Sequence, residues 1–199
     1  MEVGTITVVH GPMGSGKTAY LIRYIETHGR HSPVLYINHS FDNREDSVER
    51  KAPWTSRSVL VSSDYSSQLN AVYLRVGSLA EVTDQQLTPH SMVIIDEAQF
   101  FPDLIEGVLR FSEKMGKSVV AAGLLTDFKR RPFGHLTVLM SLADHCHKLA
   151  ESLCDDCLIE GRKSISLFTR KLTGTEDQIE IGKDQYRGVC RSCWLKYSN

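Results

Sequence analysis

The chain has 199 residues, of which 23 are lysine or arginine and 24 are aspartate or glutamate, so its formal charge at pH 7 is −1. This balance disfavours proteins that bind DNA or an anionic membrane through bulk positive charge, so neither a nucleic-acid nor a membrane partner is expected. With 41% apolar and 24% charged residues, the chain is predicted to be globular. Its length is enough for one domain of ordinary size and a small additional one.

Strands and helices are predicted to alternate through residues 1–150. Short β-branched or aliphatic runs predict strands at 5–9, 34–37, 59–61, 71–76, 92–95 and 119–122. Apolar residues at helical spacing predict helices over 17–28 and 104–115, with a weaker helix over 79–87. This alternation predicts βαβ units around a mostly parallel sheet, in an α/β nucleotide-binding domain.

After residue 150 the pattern changes. Short strand-like segments at 165–169 and 178–181 lie between cysteine pairs and predict a small β domain over residues 151–199.

A glycine-rich segment between the first predicted strand and helix fits the pattern G-x-x-x-x-G-K-[ST] at every position. Its glycines let successive N–H groups point at phosphate oxygens, and the following helix adds the positive end of its dipole. Lys17 is expected to reach the outer phosphates of ATP, and the Thr18 hydroxyl is expected to ligate Mg²⁺. The predicted ATP-binding residues of this loop are Gly11, Pro12, Met13, Gly14, Ser15, Gly16, Lys17 and Thr18.

Two carboxylates follow the strand predicted at 92–95, at the edge where open α/β sheets bind ligands. Asp96 is the candidate Mg²⁺ ligand, and Glu97 is the candidate general base. Glu97 would take a proton from water in an ATPase or from a substrate hydroxyl in a kinase, and the pair alone does not separate these reactions.

The alternative function is a nucleic-acid-stimulated P-loop ATPase, because Asp96-Glu97-Ala98-Gln99 resembles a helicase box. Two features disfavour it: 199 residues cannot hold two motor domains, and the chain is not basic.

Four of the five cysteines form two C-x-x-C pairs near one end of the chain: Cys154, Cys157, Cys190 and Cys193. Four thiolates would fill the tetrahedral coordination of Zn²⁺ and leave no open position, so we expect a structural metal. It would contribute about 10–16 kcal/mol to the folding of a tail too small for its own core. Clustered pairs favour a reducing compartment, and the start of the chain lacks the basic segment of a signal peptide, so a cytoplasmic protein is expected. The fifth cysteine, Cys146, has no predicted role.

These motifs together resemble the type II, zinc-containing thymidine kinases. The resemblance runs in the family's order from about residue 5 to 197. It is carried by residues 11–18, 95–101, 122–128, 132–134 and 148–149 and by the two cysteine pairs. Leu125 departs from the pattern, since many members carry an aspartate there, and Gly14 replaces a frequent phenylalanine.

The resemblance implies transfer of the γ-phosphate of ATP to the 5′-hydroxyl of thymidine, in deoxynucleoside salvage, by a homotetramer. Glu97 would be the base, Arg44 would stabilise phosphate charge, and Asp42 would lie nearby in the ATP site. The implied nucleoside-binding residues are Met13, Phe100, Leu124, Phe128, Phe133, Thr169, Ile179, Glu180, Ile181, Gly182 and Tyr186. The 32 residues between the cysteine pairs, 158–189, would form a lasso loop over the base.

Overall fold

The structure is a computed structural model, and it describes residues 3–29, 33–41, 70–149, 151–173, 177–178 and 185–197. The strand predicted at 59–61 lies outside these residues, as does most of the strand-like segment at 178–181.

Within the described residues, six strands form the main sheet, in the order β3-β2-β4-β5-β1-β6, and every neighbouring pair is parallel. The strands are β1 (Ile6–His10), β2 (Val34–His39), β3 (Ala71–Val76), β4 (Met92–Asp96), β5 (Ser118–Gly123) and β6 (His145–Lys148). This confirms the predicted parallel α/β sheet. Because the strands run in one direction, the carboxyl ends of β1, β2, β4 and β5 meet at one edge.

The helices of the described residues are α1 (Lys17–His28), α2 (Asp84–Leu87), α3 (Leu104–Leu109), α4 (Leu136–Leu142), α5 (Asp155–Ile159) and α6 (Arg191–Tyr197). Of these, α1 and α4 contact strands of the main sheet, whereas α5 and α6 contact the small two-stranded sheet described below. The helix predicted over 104–115 is α-helical only to Leu109 and continues as a π-helical turn over Arg110–Lys114. The helix predicted over 79–87 is two separate turns, a 3-10 turn at Leu79–Glu81 and α2, which Thr83 opens with a capping box.

The core lies on both faces of the sheet. Val9 packs with Leu21 and Ile25 of α1 on one face, whereas Val8 packs on the other face in a cluster that includes Leu104 of α3. Alternate residues of one strand are therefore both buried, which explains why the central strands are continuous apolar runs.

Two antiparallel strands, β7 (Phe168–Lys171) and β8 (Tyr186–Val189), form a second sheet. The strand predicted at 165–169 begins only at Phe168, because Ile165 makes just an isolated bridge to Leu153. Within the described ranges, every helix is too short or too polar to traverse a bilayer.

Candidate active site

The glycine-rich loop connects β1 to α1, as predicted. Gly14 and Gly16 have φ of +73° and +84°, in the left-handed region that strains other residues. A side chain at either position would meet no neighbouring atom, so this backbone conformation is what requires glycine there.

The ammonium group of Lys17 lies inside the loop. Its Nζ donates to the carbonyl oxygens of Gly11 at 3.1 Å and Pro12 at 2.9 Å, and the side chain is buried. The pKa of His10, the last residue of β1, is lowered by its burial and further by the positive charges of Lys148 and Lys17. Positive potential and backbone N–H groups at one helix start suit a phosphate group.

Asp96 is fully buried at the end of β4, where its carboxylate accepts hydrogen bonds from Thr18, Tyr36 and Glu97. Its Oδ2 accepts hydrogen bonds from the hydroxyls of Thr18 at 3.1 Å and Tyr36 at 2.7 Å, and its Oδ1 accepts from the Glu97 N–H at 2.9 Å. The two predicted Mg²⁺ ligands are therefore adjacent, and hydroxyl and carboxylate oxygens are ligands that this ion accepts.

Tyr36 is a contributor to this site that the sequence analysis missed. It lies within the apolar strand β2, and only its buried hydroxyl, which needs a partner, distinguishes it from a core residue.

Glu97 adopts φ +52°, a left-handed conformation that is costly for a residue with a side chain. Its buried carboxylate accepts a hydrogen bond from Gln99 Nε2 at 2.7 Å. Gln99 Oε1 in turn accepts from the backbone N–H of Leu124 at 3.0 Å. Gln99, to which the sequence analysis gave no role, thus joins the predicted base to the end of β5.

Two predicted nucleoside-site residues, Phe100 and Phe133, contact each other edge to face, with ring centroids 5.6 Å apart. Gly134 follows with φ +59°, and a Cβ there would lie 2.2 Å from the Gln99 carbonyl oxygen. The chain after Phe133 therefore lies directly against the segment that follows Glu97.

The β7–β8 hairpin contacts the phosphate-binding loop. The Met13 N–H donates to Thr169 Oγ1 at 3.0 Å, and a Cβ on Gly188 would lie 2.7 Å from the Met13 carbonyl oxygen. Lys171 Nζ lies 4.9 Å from the ring centroid of Phe128 and 5.8 Å from that of Tyr186. The structure thus places Met13 beside Thr169. Phe128 and Tyr186 both lie near Lys171.

Asp42, Arg44 and Ile179 through Gly182 lie outside the described residues. Gln178, immediately before the latter segment, donates from Nε2 to Asp127 Oδ2 at 3.0 Å and to the Pro132 carbonyl at 3.3 Å. The last described residue before that segment therefore contacts the loop after β5.

The four paired cysteines are buried, and their sulfur atoms all lie within 4.8 Å of one another. Cys157 Sγ is 3.8 Å from Cys190 Sγ and 3.6 Å from Cys193 Sγ. A tetrahedron with zinc–sulfur bonds of about 2.3 Å has sulfur–sulfur edges of about 3.8 Å, so the geometry fits Zn²⁺. Burial, with hydrogen bonds to the neighbouring thiols adding to it, raises the pKa of the Cys193 thiol to about 12. Cys146 lies apart, exposed on β6.

Comparison with known proteins gives a family match. The family model described as thymidine kinase matches residues 4–194. The thymidine kinase of fowlpox virus (strain NVSL) is 34% identical over 200 residues, covering 98% of this chain and 99% of the viral protein. That of monkeypox virus is 35% identical over 201 residues, with the same coverage.

Among solved structures, the flagellar accessory protein FlaH from Methanocaldococcus jannaschii superposes with a TM-score of 0.50 at 14% identity, covering 89% of this chain and 76% of that one. This likeness concerns the fold alone.

Proposed function

Because the chain belongs to the thymidine kinase family, we propose that it transfers the γ-phosphate of ATP to the 5′-hydroxyl of thymidine, in the salvage of deoxynucleosides. The observation that carries this proposal is the cluster at the end of β4. Asp96 bonds to Thr18 of the phosphate-binding loop, while the adjacent Glu97 is held by Gln99.

The phosphate-binding loop, residues 11–18, would hold ATP. Its N–H groups and the Lys17 ammonium would contact the phosphates, with Asp42 and Arg44 completing the ATP site. Thr18 and Asp96 would hold Mg²⁺, which supplies neutralisation of phosphate charge when bound. Placing the ATP in one orientation is the larger part of catalysis for phosphoryl transfer.

Glu97 would act as the general base. The 5′-oxygen forms a bond to the γ-phosphorus, the bond between that phosphorus and the β–γ bridging oxygen breaks, and the hydroxyl proton passes to the Glu97 carboxylate. The products are thymidine monophosphate and ADP. The Gln99 bond to Glu97 Oε2 would fix the carboxylate in the orientation needed to receive the proton.

The nucleoside would lie between the two sheets. Its site would be formed by Met13, Phe100, Leu124, Phe128, Phe133, Thr169 and Tyr186, with Ile179, Glu180, Ile181 and Gly182. The contacts from Met13 to Thr169 and from Phe100 to Phe133 support this grouping.

Residues 1–150 would form the nucleotide-binding domain and residues 151–199 the zinc-binding lasso domain. Cys154, Cys157, Cys190 and Cys193 would hold one structural zinc, whose chemistry when bound is to cross-link the two ends of that domain. A cytoplasmic homotetramer without a nucleic-acid or membrane partner completes the proposal, supported by the family and by the balanced charge.

A nucleoside panel tests the function. With ATP and Mg²⁺, thymidine is expected to give the highest kcat/KM, and single-stranded DNA is expected to leave ATP consumption unchanged. ATP hydrolysis stimulated by single-stranded DNA, without product nucleotide, would establish the ATPase alternative instead.

The variant Glu97→Gln tests the assignment of the base. It keeps the size of the side chain but removes its basicity, so ATP affinity is expected to stay within about twofold while kcat falls about 10²–10⁴-fold. Glu113→Gln, at an exposed position, is the matched control and should retain full activity. Near-full turnover by Glu97→Gln would contradict the assignment of Glu97 as the general base.

A further inference from the structure

The loop after β5, residues 124–134, carries three of the proposed nucleoside-site residues, Leu124, Phe128 and Phe133. Asp127 shapes this loop from within: its Oδ1 accepts from the N–H groups of Lys129 at 2.9 Å and Arg131 at 2.8 Å. These bonds define a tight turn but leave open what holds the turn against the rest of the molecule.

Besides the bonds from Gln178 described above, the C-terminal helix α6 makes one such attachment. Trp194, which directly follows Cys193, is buried, and its indole Nε1 donates to the carbonyl oxygen of Phe128 at 3.0 Å. The acceptor is thus the backbone of a proposed nucleoside-site residue, 66 positions away in the chain.

Arg130 provides a second attachment at the same place. Its φ of +61° is left-handed, and its guanidinium carbon lies 3.6 Å from the centroid of the Trp194 ring. The same guanidinium lies 5.6 Å from the centroid of Phe168, which packs against the buried cysteine cluster. This cation–π contact adds to the hydrogen bond because both join the same two elements.

Resting on the function proposed above, we infer that Trp194 and Arg130 are positioning residues for the nucleoside. They transmit the rigidity of the four-cysteine cluster to the loop after β5 and hold Phe128 where the nucleoside binds. Neither residue contacts the phosphate-binding loop through any bond described above. Loss of either contact is therefore expected to weaken binding of the nucleoside without weakening binding of ATP.

Kinetics of Trp194→Phe test this inference. Phenylalanine keeps an aromatic face for Arg130 but removes the indole donor together with part of the ring. KM for thymidine is expected to rise about 2- to 10-fold, the range for one net hydrogen bond. KM for ATP and kcat are expected to stay within about twofold, with zinc content unchanged. Arg130→Asn, which tolerates the left-handed backbone, is expected to act in the same direction.

Arg191→Gln is the matched control. Arg191 also lies on α6 and stacks on Phe168, at 5.0 Å, but no contact with residues 124–134 is described for it. It should leave both KM values unchanged.

Hydrogen exchange gives a readout that needs no substrate. Amides of residues 126–133 are expected to exchange faster in Trp194→Phe than in the parent protein, while those of β1 and α1 stay unchanged. An unchanged thymidine KM in Trp194→Phe, or equal rises in both KM values, would overturn the inference.

Failure of the proposed function would look different, since the parent protein itself would then leave thymidine unphosphorylated. In that case unchanged exchange at residues 126–133 would still overturn the attachment, and faster exchange would still support it.

Discussion

The hydrogen bond from Tyr36 to Asp96 offers a test of how the proposed metal ligand is held in place. In Tyr36→Phe the ring remains, and the hydroxyl that donates to Asp96 Oδ2 at 2.7 Å is removed. Tyr36 is 1% exposed and Asp96 is 0% exposed, so bulk water cannot simply replace the lost donor.

The expected loss of stability depends on the hydrogen bonds that Asp96 keeps in the variant. A hydrogen bond to a charged group contributes about 1.5–3 kcal/mol to the free energy of unfolding. Asp96 keeps its bonds from Thr18 and from the Glu97 N–H, so the carboxylate is weakened but not isolated. For a chain of this length each kcal/mol shifts Tm by about 2–4 °C, which gives an expected decrease of about 3–12 °C.

Calorimetry gives the Tm of Tyr36→Phe, and the same measurement on Tyr73→Phe provides the control. Tyr73 stacks on Tyr36 with ring centroids 5.7 Å apart, and its half-buried hydroxyl accepts from Asn38 Nδ2 at 3.3 Å. The same chemical change there removes only a neutral bond, so its Tm should fall less. A second readout is the Mg²⁺ concentration for half-maximal activity, which should rise in Tyr36→Phe alone.

Equal Tm values for the two variants, within about 1 °C, together with the same Mg²⁺ requirement would contradict this prediction. Asp96 would then be held adequately by Thr18 and the backbone, and Tyr36 would act only as a packing residue.

Three further changes have expected outcomes. His10→Asn should lose less Tm than the parent as pH falls from about 7.5 to about 5.5. The pKa of His10 in the folded protein lies below its ordinary 6.5, so the unfolded chain binds a proton more readily than the folded one. Lowering the pH therefore destabilises the parent protein at this position. Gly134→Ala should lower Tm more than Gly161→Ala, because both have positive φ but only Gly134 faces a backbone oxygen. Cys157→Ser should lose the one zinc per chain expected in the parent, measured by elemental analysis, and make residues 151–197 sensitive to protease. The exposed Cys146→Ser should change neither.

Elements with strong local signals were predictable. The strand, glycine-rich loop and helix at 5–28 appear as expected, because turn residues and helical spacing act within a few residues. Strands β6 and β8 and helices α4, α5 and α6 were missed. β6 consists of four exposed polar or weakly apolar residues and shows no apolar–polar alternation. Among the described residues its partner strand is β1, at the edge of the sheet.

Part of the candidate site was predictable for the same reason. Thr18 follows β1 and Asp96 ends β4, and parallel strands bring such ends to one edge. Gln99 was not predictable as the link between Glu97 and Leu124, because its role depends on how β4 and β5 are aligned as neighbours.

The sequence by itself determined the alternating strands and helices, the phosphate-binding loop and the two cysteine pairs, because each rests on residue spacing that acts locally. Only the tertiary structure decided the strand order, the donor from Tyr36 to Asp96 and the contact of Thr169 with Met13, 156 residues apart. These contacts depend on the packing of whole elements against one another. Sheet register and helix docking set that packing, and no single segment of the chain encodes it.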